Sequence, residues 1–303
     1  MPTTLFNSKG GITTIAIRSR LRAIPLGTIL IFIGLIISYP AASGPVYENY
    51  SAVLLPYGVQ TDDSIMTPEG IILYYLPATA GDTLFIRTAS TEDPTGGPAF
   101  NPQIILYAPD GITICAQDVQ QGNGPAEIQY IANETGDFYL TVESSDPSWS
   151  GAYGIAAQKT NKPENTTTLI PEVPTEGTID VPGGVVTYTI TSAFQDTITI
   201  SLVTGTYEGE LIIFDPDGRE CARNASLSSA FPALITMTTE TEGDYSVLAG
   251  GANGATGAYT VAYTAETTYV PPYADFTATP TSGLLPLTVQ FYDTSGDVAT
   301  DWS

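Results

Sequence analysis

Apolar and polar residues alternate with a period of two along most of the chain after residue 43, and no stretch there carries a convincing helical stripe. In TLFIRT (83–88), Leu84 and Ile86 alternate with Phe85 and Arg87. In TITISL (197–202), Ile198 and Ile200 alternate with Thr197 and Thr199. That is the period of a half-buried strand. IILY (104–107) and LIIF (211–214) are unbroken apolar runs of strand length, which predicts a central core position for both. Each run is followed by Pro-Asp-Gly, at 109–111 and 216–218. Proline presets φ and glycine accepts a positive φ, so both triplets are expected to be tight turns.

The same segments expose an internal repeat. NPQIILYAPDG (101–111) matches GELIIFDPDG (209–218), TGDFYLTV (135–142) matches EGDYSVLA (242–249), and SGAYGIAA (150–157) matches TGAYTVAY (256–263). Upstream, ILYYLPATAGDTLFIRT (72–88) corresponds to VTYTITSAFQDTITISL (186–202). One folding unit therefore occurs twice. The extra length of the first copy falls in the turn-rich TEDPTGGPAF. Strands beginning at Gly136 and Gly243 are expected to point Phe138, Leu140 and Val142, and Tyr245, Val247 and Ala249, inward. Short strands at this spacing predict an all-β chain of two tandem antiparallel β-sandwiches, at 44–159 and 178–268. The intervening 160–177, with its prolines and threonines and little periodicity, reads as an extended linker.

The order of these segments resembles a tandem pair of pre-peptidase C-terminal domains, a jelly-roll-like sandwich of secreted bacterial and archaeal proteins. The resemblance rests on Gly81, Asp82 and Leu84 opening one strand, the apolar run ending in a Pro-Asp-Gly turn, and the later Gly-x-Tyr strands. Two positions depart from it: Gln195 stands where the first copy has Gly81, and Ala108 where the second has Asp215. A third segment, 269–303, resembles the opening of a PKD repeat, an Ig-like sandwich. Ala274, Phe276, Pro280, Gly283, Pro286, Leu287, Thr288, Val289, Phe291 and Asp293 carry that likeness, and its next motif would begin near Trp302. Some 30 residues fall short of a two-sheet core of about 100. This region is therefore expected to be an incomplete, poorly packed domain of a fragment or truncated product.

Composition narrows the chemistry. The 303 residues contain no histidine, which rules out a Ser-His-Asp triad, a Cys-His pair and His-ligated metal sites within the chain. The formal charge is −23, and an acidic surface repels phosphate backbones, so nucleic acid is excluded as a partner. Lys9, Arg18, Arg20 and Arg22 precede the apolar stretch at 23–42, the pattern of an export signal. Residues 1–43 are expected to be a signal peptide cleaved after Ser43 or, if uncleaved, an N-terminal membrane anchor, the chain's one means of membrane contact. Either way the remainder is placed outside the cell or at its surface.

Several residues carry candidate site chemistry. Asn49, Asn133, Asn165 and Asn224 lie in Asn-x-Ser/Thr sequons open to N-glycosylation in an exported chain. Cys115 and Cys221 occupy matching places in the two copies, either as a disulfide joining them or as two buried thiols. Asp110, Asp215 and Asp217 could give oxygen ligands to calcium, but the twelve-residue loop with alternating acids is absent, and turn chemistry is the preferred reading. No other cofactor is expected. Trp149 and the exposed tyrosines could stack on sugar rings. No carboxylate pair is singled out for hydrolysis by a motif, and neither resembled family is catalytic. The chain is accordingly expected to be a non-catalytic, archaeal-type cell-surface protein whose modules act as spacers and as adhesion or binding units toward a cell-envelope protein or carbohydrate. The alternative is an accessory region of a secreted protease or glycosidase whose catalytic domain lies beyond Ser303.

Overall fold

The computed structural model describes residues 4–6, 12–14, 51–90, 100–122, 124–267 and 275–295. The expected leader core, the cleavage point after Ser43, Asn49 and Trp302 lie outside these residues. The chain divides into two units, 1–51 and 52–303. In the first, β1 (Thr4–Phe6) and β2 (Ile12–Thr14) form an antiparallel pair with Thr4 opposite Thr14.

The larger unit opens with β3 (Val53–Leu54), β4 (Gln60–Ile65), β5 (Ile71–Ala78), β6 (Thr83–Ser90), β7 (Pro102–Tyr107), β8 (Ile114–Val119), β9 (Ala126–Ile131), β10 (Gly136–Ser144) and β11 (Gly151–Lys159). They form a five-stranded sheet, β3-β5-β10-β7-β8, and a four-stranded sheet, β4-β11-β6-β9. Next come β12 (Thr167–Thr168), β13 (Thr175–Ile179), β14 (Val185–Ser192), β15 (Asp196–Val203), β16 (Gly209–Phe214), β17 (Glu220–Ala225), β18 (Ala233–Thr238), β19 (Gly243–Gly251) and β20 (Gly257–Thr267). Their sheets, β12-β14-β19-β16-β17 and β13-β20-β15-β18, repeat the first pair strand for strand. The chain is thus all-β, and the sequence repeat is a repeat of topology. The pairing departs from purely antiparallel at one edge of each copy, where β3 runs parallel to β5 and β12 parallel to β14.

Each sandwich has its own core. Leu84, Ile86, Phe138, Leu140 and Val142 meet in the first, and Ile198, Ile200, Tyr245, Val247 and Ala249 in the second, as the alternation predicts. A third, smaller cluster joins the copies. Phe85 and Ala156, on the outer face of β6 and β11, pack on Val185, Ile212, Phe214 and Leu248, on the outer face of β14, β16 and β19. Phe85 and Phe214 meet edge to face at 5.7 Å between ring centroids. This seam explains where the half-buried expectation for 83–88 fails. Every residue of β6 is buried, Arg87 included, because its outward face is covered by the second sandwich. The equivalent β15 keeps the alternation, with Thr197 and Thr199 half-buried. LIIF is buried on both faces for the same reason, whereas its counterpart β7 alternates.

The segment expected as a linker contributes to the second fold. Thr167 and Thr168 pair with Tyr188 and Thr189, Leu169 is buried in the second core, and β13 begins at Thr175. Threonine-rich edge strands lack the alternation that would announce them. Only the start of the segment is a strap, held to the first sandwich by Asn165 Nδ2 donating to the Tyr57 carbonyl (2.7 Å) and Gln158 Nε2 donating to the Glu164 carbonyl (2.8 Å). At the far end, β21 (Phe276–Thr279) and β22 (Gln290–Asp293) form an antiparallel hairpin. Phe276 and Phe291 touch at 5.4 Å between centroids, yet both remain about two-thirds exposed.

Candidate functional site

The most concentrated polar chemistry lies at the seam. Arg87 is 0% exposed in the middle of β6. Its Nη2 donates to the Gly251 carbonyl (2.9 Å) and pairs with Glu210 Oε2 (2.8 Å), while Nε lies 3.3 Å from Glu127 Oε1. The second sandwich makes room for it by omitting side chains, since a β-carbon on Gly250 would overlap Arg87 Nη1. Arg223, on edge strand β17, completes the cluster: it pairs with Glu127 Oε2 (2.9 Å), Glu210 Oε1 (3.1 Å) and Glu220 Oε1 (3.0 Å). Gln129 Nε2 donates to Glu220 Oε2 across the seam (2.5 Å).

The geometry sets the charge states. Burial pushes the Glu220 carboxyl up, but Arg223 and Gln129 outweigh it and hold the group below the usual carboxylate range. Burial alone would lower Arg223, whereas Glu220, Glu127 and Glu210 hold its guanidinium well above its ordinary value. Beside the cluster opens a cleft of about 260 Å³, lined by Pro125, Glu127, Glu210, Arg223, Ala252 and Asn253. Its two carboxylates are bound by guanidinium groups from both sandwiches, an arrangement that locks two bodies together and leaves neither acid open as a base. The seam is sealed at its edges too. Ser246 Oγ donates to the Thr160 carbonyl (2.6 Å), Thr160 Oγ1 to the Gly218 carbonyl (2.8 Å), and Gln60 Nε2 to the Thr178 carbonyl (3.0 Å). Sequence reasoning missed this site, although a lone arginine inside the apolar TLFIRT was a visible signal.

The residues singled out from sequence lie apart from the cluster. Asp110 accepts from the backbone of Ile112 and Thr113 (2.8 Å each) and from Thr113 Oγ1 (2.6 Å), bonds that hold its carboxyl below the usual range. Asp215 Oδ1 accepts from the Arg219 backbone (2.8 Å), and Asp217 pairs with the Arg219 guanidinium (3.1 Å). All three act in their own turns, and among the described residues no group of three or more Cys, Asp or Glu could hold a metal ion.

Cys115 and Cys221 sit at the second position of the equivalent edge strands β8 and β17, and neither forms a disulfide. Cys115 is half-buried and packs against the first core, while Cys221, exposed as a residue, turns its thiol toward the Ile213 carbonyl (3.3 Å) and the Met237 sulfur (4.0 Å). Asn133 stands exposed in the turn after β9. Asn224 is also exposed, with Oδ1 accepting from the Leu234 backbone (3.2 Å), while the amide of Asn165 is engaged by the strap described above. Trp149 is half-buried in the loop before β11.

The repeated motifs prove to be scaffolding with matched roles. Tyr153 and Tyr259, the tyrosines of the two Gly-x-Tyr strands, reach across the sandwich to Tyr74 and Tyr188, with hydroxyl oxygens 2.9 Å apart in both copies. Asp82 Oδ2 accepts from the Thr79 backbone (3.0 Å), as Asp196 Oδ2 does from Ala193 (2.9 Å). Burial raises the Asp82 carboxyl, but the Thr79 bond and the Lys162 and Lys159 ammonium groups win and hold it low. Gln195 is no structural departure, since it takes φ 63° where Gly81 takes φ 92°.

No family model and no curated protein matches the chain. Among solved structures, the chain is similar to the pre-peptidase C-terminal domain of collagenase from Bacillus anthracis (14% identity, TM-score 0.29, covering 34% of this chain and 97% of that one). It is also similar to the M60 catalytic domain with two CBM51 domains from Clostridium perfringens (7% identity, TM-score 0.23, covering 64% and 33%). A third similar structure is the CUB1-EGF-CUB2 region of human MASP-1/3 (10% identity, TM-score 0.20, covering 68% and 99%).

Proposed function

We propose that the chain is an exported, non-catalytic cell-surface protein whose two pre-peptidase-type sandwiches serve as one rigid spacer and binding unit. The carrying observation is the seam. Two copies of one topology are joined by an aromatic contact and a shared cluster of five charged side chains, so that they present their remaining faces in a fixed relation. A flexible tether between catalytic and binding parts would need no such joint. The absence of histidine removes the commonest acid-base and nucleophilic machinery, and the acidic balance suits a protein that stays soluble outside the cell.

The test uses the full exported chain. Labelled protein is incubated with the envelope fraction of the producing cell, and in parallel with peptide and glycoside substrates. Saturable retention on the envelope with no turnover is expected. Turnover that co-purifies with the chain would overturn the non-catalytic role, and absence of retention would overturn the binding role. A catalytic domain encoded beyond Ser303 would place the sandwiches as accessory modules of a hydrolase instead.

A further inference from the structure

The two cysteines are placed by the same irregularity in both copies. Along β7 and β8, Leu106 faces Ala116 and Tyr107 faces Ile114, so Cys115 is the extra residue of a β-bulge. Along β16 and β17, Ile213 faces Ala222 and Phe214 faces Glu220, which leaves Cys221 as the extra residue there. A bulge bends its strand and re-aims the side chain of the residue left unpaired. Here it brings each thiol to the edge strand of the opposite sheet, β9 in the first copy and β18 in the second.

What the thiol meets differs between the copies. Tyr130 and Met237 are equivalent positions, opposite Leu84 on β6 and Ile198 on β15. Cys115 therefore meets a phenol hydroxyl, whereas Cys221 meets a thioether, with Sγ 4.0 Å from Met237 Sδ. The topology is the same in both copies, so the exchange changes the chemistry offered to the cysteine and not the fold. A hydroxyl completes a hydrogen bond, while a thioether is a weak acceptor but a good ligand for soft metal ions.

The spacing suits an ion held between the two sulfurs. Metal–thiolate bonds are about 2.3 Å long, so sulfurs 4.0 Å apart hold an ion at an angle of about 120°. That is the angle of a three-coordinate site with one position left open. Met237 packs against the second core, which fixes its thioether in advance, and Cys221 is exposed as a residue, which gives an entry path. The Asp215 and Glu220 carboxylates act on the thiol and favour a cation beside it. A structural zinc ion needs four ligands. The chain has no histidine, and no group of three or more Cys, Asp or Glu suited to a metal ion occurs among the described residues. Thiolate with thioether instead selects copper(I).

We infer that Cys221 and Met237 form a two-sulfur site for a soft monovalent metal ion, copper(I), at the β17 and β18 edge of the second sandwich. On binding, the S–H bond of Cys221 breaks and its proton passes to solvent. The thiolate and the Met237 thioether each donate a lone pair to the ion, whose oxidation state does not change.

The experiment uses the full chain carrying Cys115→Ser, labelled with carbon-13 at the methionine methyl groups, and an equimolar amount of copper(I) under nitrogen. The chain has three methionines, and the exposed Met66 serves as the internal reference. A shift of the Met237 methyl signal with Met66 unmoved is expected, with a proton released for each ion bound. In competition with bicinchoninate, Met237→Leu, a volume-conserving change, is expected to weaken copper(I) retention about tenfold or more. Cys221→Ser in the same background should abolish it. The chain with Cys221→Ser and Cys115 intact should retain copper(I) about tenfold more weakly than the Cys115→Ser chain, because Tyr130 offers no second sulfur. No retention by the Cys115→Ser chain would overturn the inference. So would an unmoved Met237 methyl signal, undiminished retention by Met237→Leu, equal retention at the two cysteines, or a copper-bridged dimer in sedimentation, since an isolated thiol accounts for each of these.

Discussion

Replacing Arg87 by alanine interrogates the seam most informatively. The side chain is wholly buried, and its loss removes a charge-assisted bond to the Gly251 carbonyl and the pairings with Glu210 and Glu127. Breaking a buried pair by deleting one partner costs roughly 3–5 kcal/mol, mostly because the opposite charge is stranded. Here Arg223 still holds one oxygen of each carboxylate, which places the expected loss near the lower end, about 3 kcal/mol. For a unit of this size each kcal/mol shifts the melting temperature by roughly 2–4 °C, so a drop of about 6–12 °C is expected by calorimetry. The sandwiches should also melt less cooperatively, as two transitions. The double variant Arg87→Met with Glu210→Leu removes the stranded acid and should recover a large part of the loss, a strong departure from additivity. A melting temperature within about 1 °C of wild type for Arg87→Ala, or strict additivity in the double variant, would refute the reasoning.

Phe85→Ala should cost about 3–4 kcal/mol in denaturant unfolding, whereas Thr199→Ala, the equivalent position of the second copy, should change stability by less than about 0.5 kcal/mol. Equal effects would mean that the seam does not form in solution. Tyr57, Tyr74, Tyr153 and Tyr259 all have hydroxyls raised by burial above the ordinary value of 10.0, with carboxylates or partner tyrosines adding to the effect. Their neutral forms are favoured in the folded state. The stability they contribute is therefore complete below about pH 10 and is lost as pH rises toward the folded values, by up to about 1.4 kcal/mol per pH unit per tyrosine. Spectrophotometric titration should show these phenols ionising together with unfolding, and reversible ionisation near pH 10 without loss of structure would contradict their burial. The Cys221 thiol, pushed up to about 11 by burial and then by Asp215, and Cys115, raised chiefly by burial, should count as two free thiols that react slowly at neutral pH. A disulfide-linked mass would contradict this.

The inner faces were legible in the sequence because a period of two is enforced wherever one side of a strand meets a core. Leu84, Ile86, Ile198 and Ile200 all fall where that period puts them. The seam was not legible, because Phe85 and Arg87 are outward by the same rule and only docking of the second copy buries them. Ile212 and Phe214 illustrate the converse: the unbroken run LIIF is buried on both faces because the first sandwich docks on it, whereas the equally unbroken IILY alternates, so the run alone does not announce a second cover. The linker reading failed at Thr167, Thr168 and Thr175, where short polar edge strands take their place from backbone pairing and from two buried anchors, Leu169 and Ile179. Gln195 looked like a lost glycine, but the turn it closes tolerates a positive φ for one non-glycine residue. The carbonyls of Thr239 and Ala132 receive the backbone N–H of Gln195 and Gly81 alike.

The account stands on the two sandwiches moving as one body. Residual dipolar couplings measured across β3–β11 and β12–β20 in weakly aligned full-length protein test this directly. The seam predicts a single alignment tensor that fits both sets of couplings with the inter-sandwich orientation held at that of the structure. Two independent tensors of different magnitude would show that the sandwiches turn separately, and would contradict it.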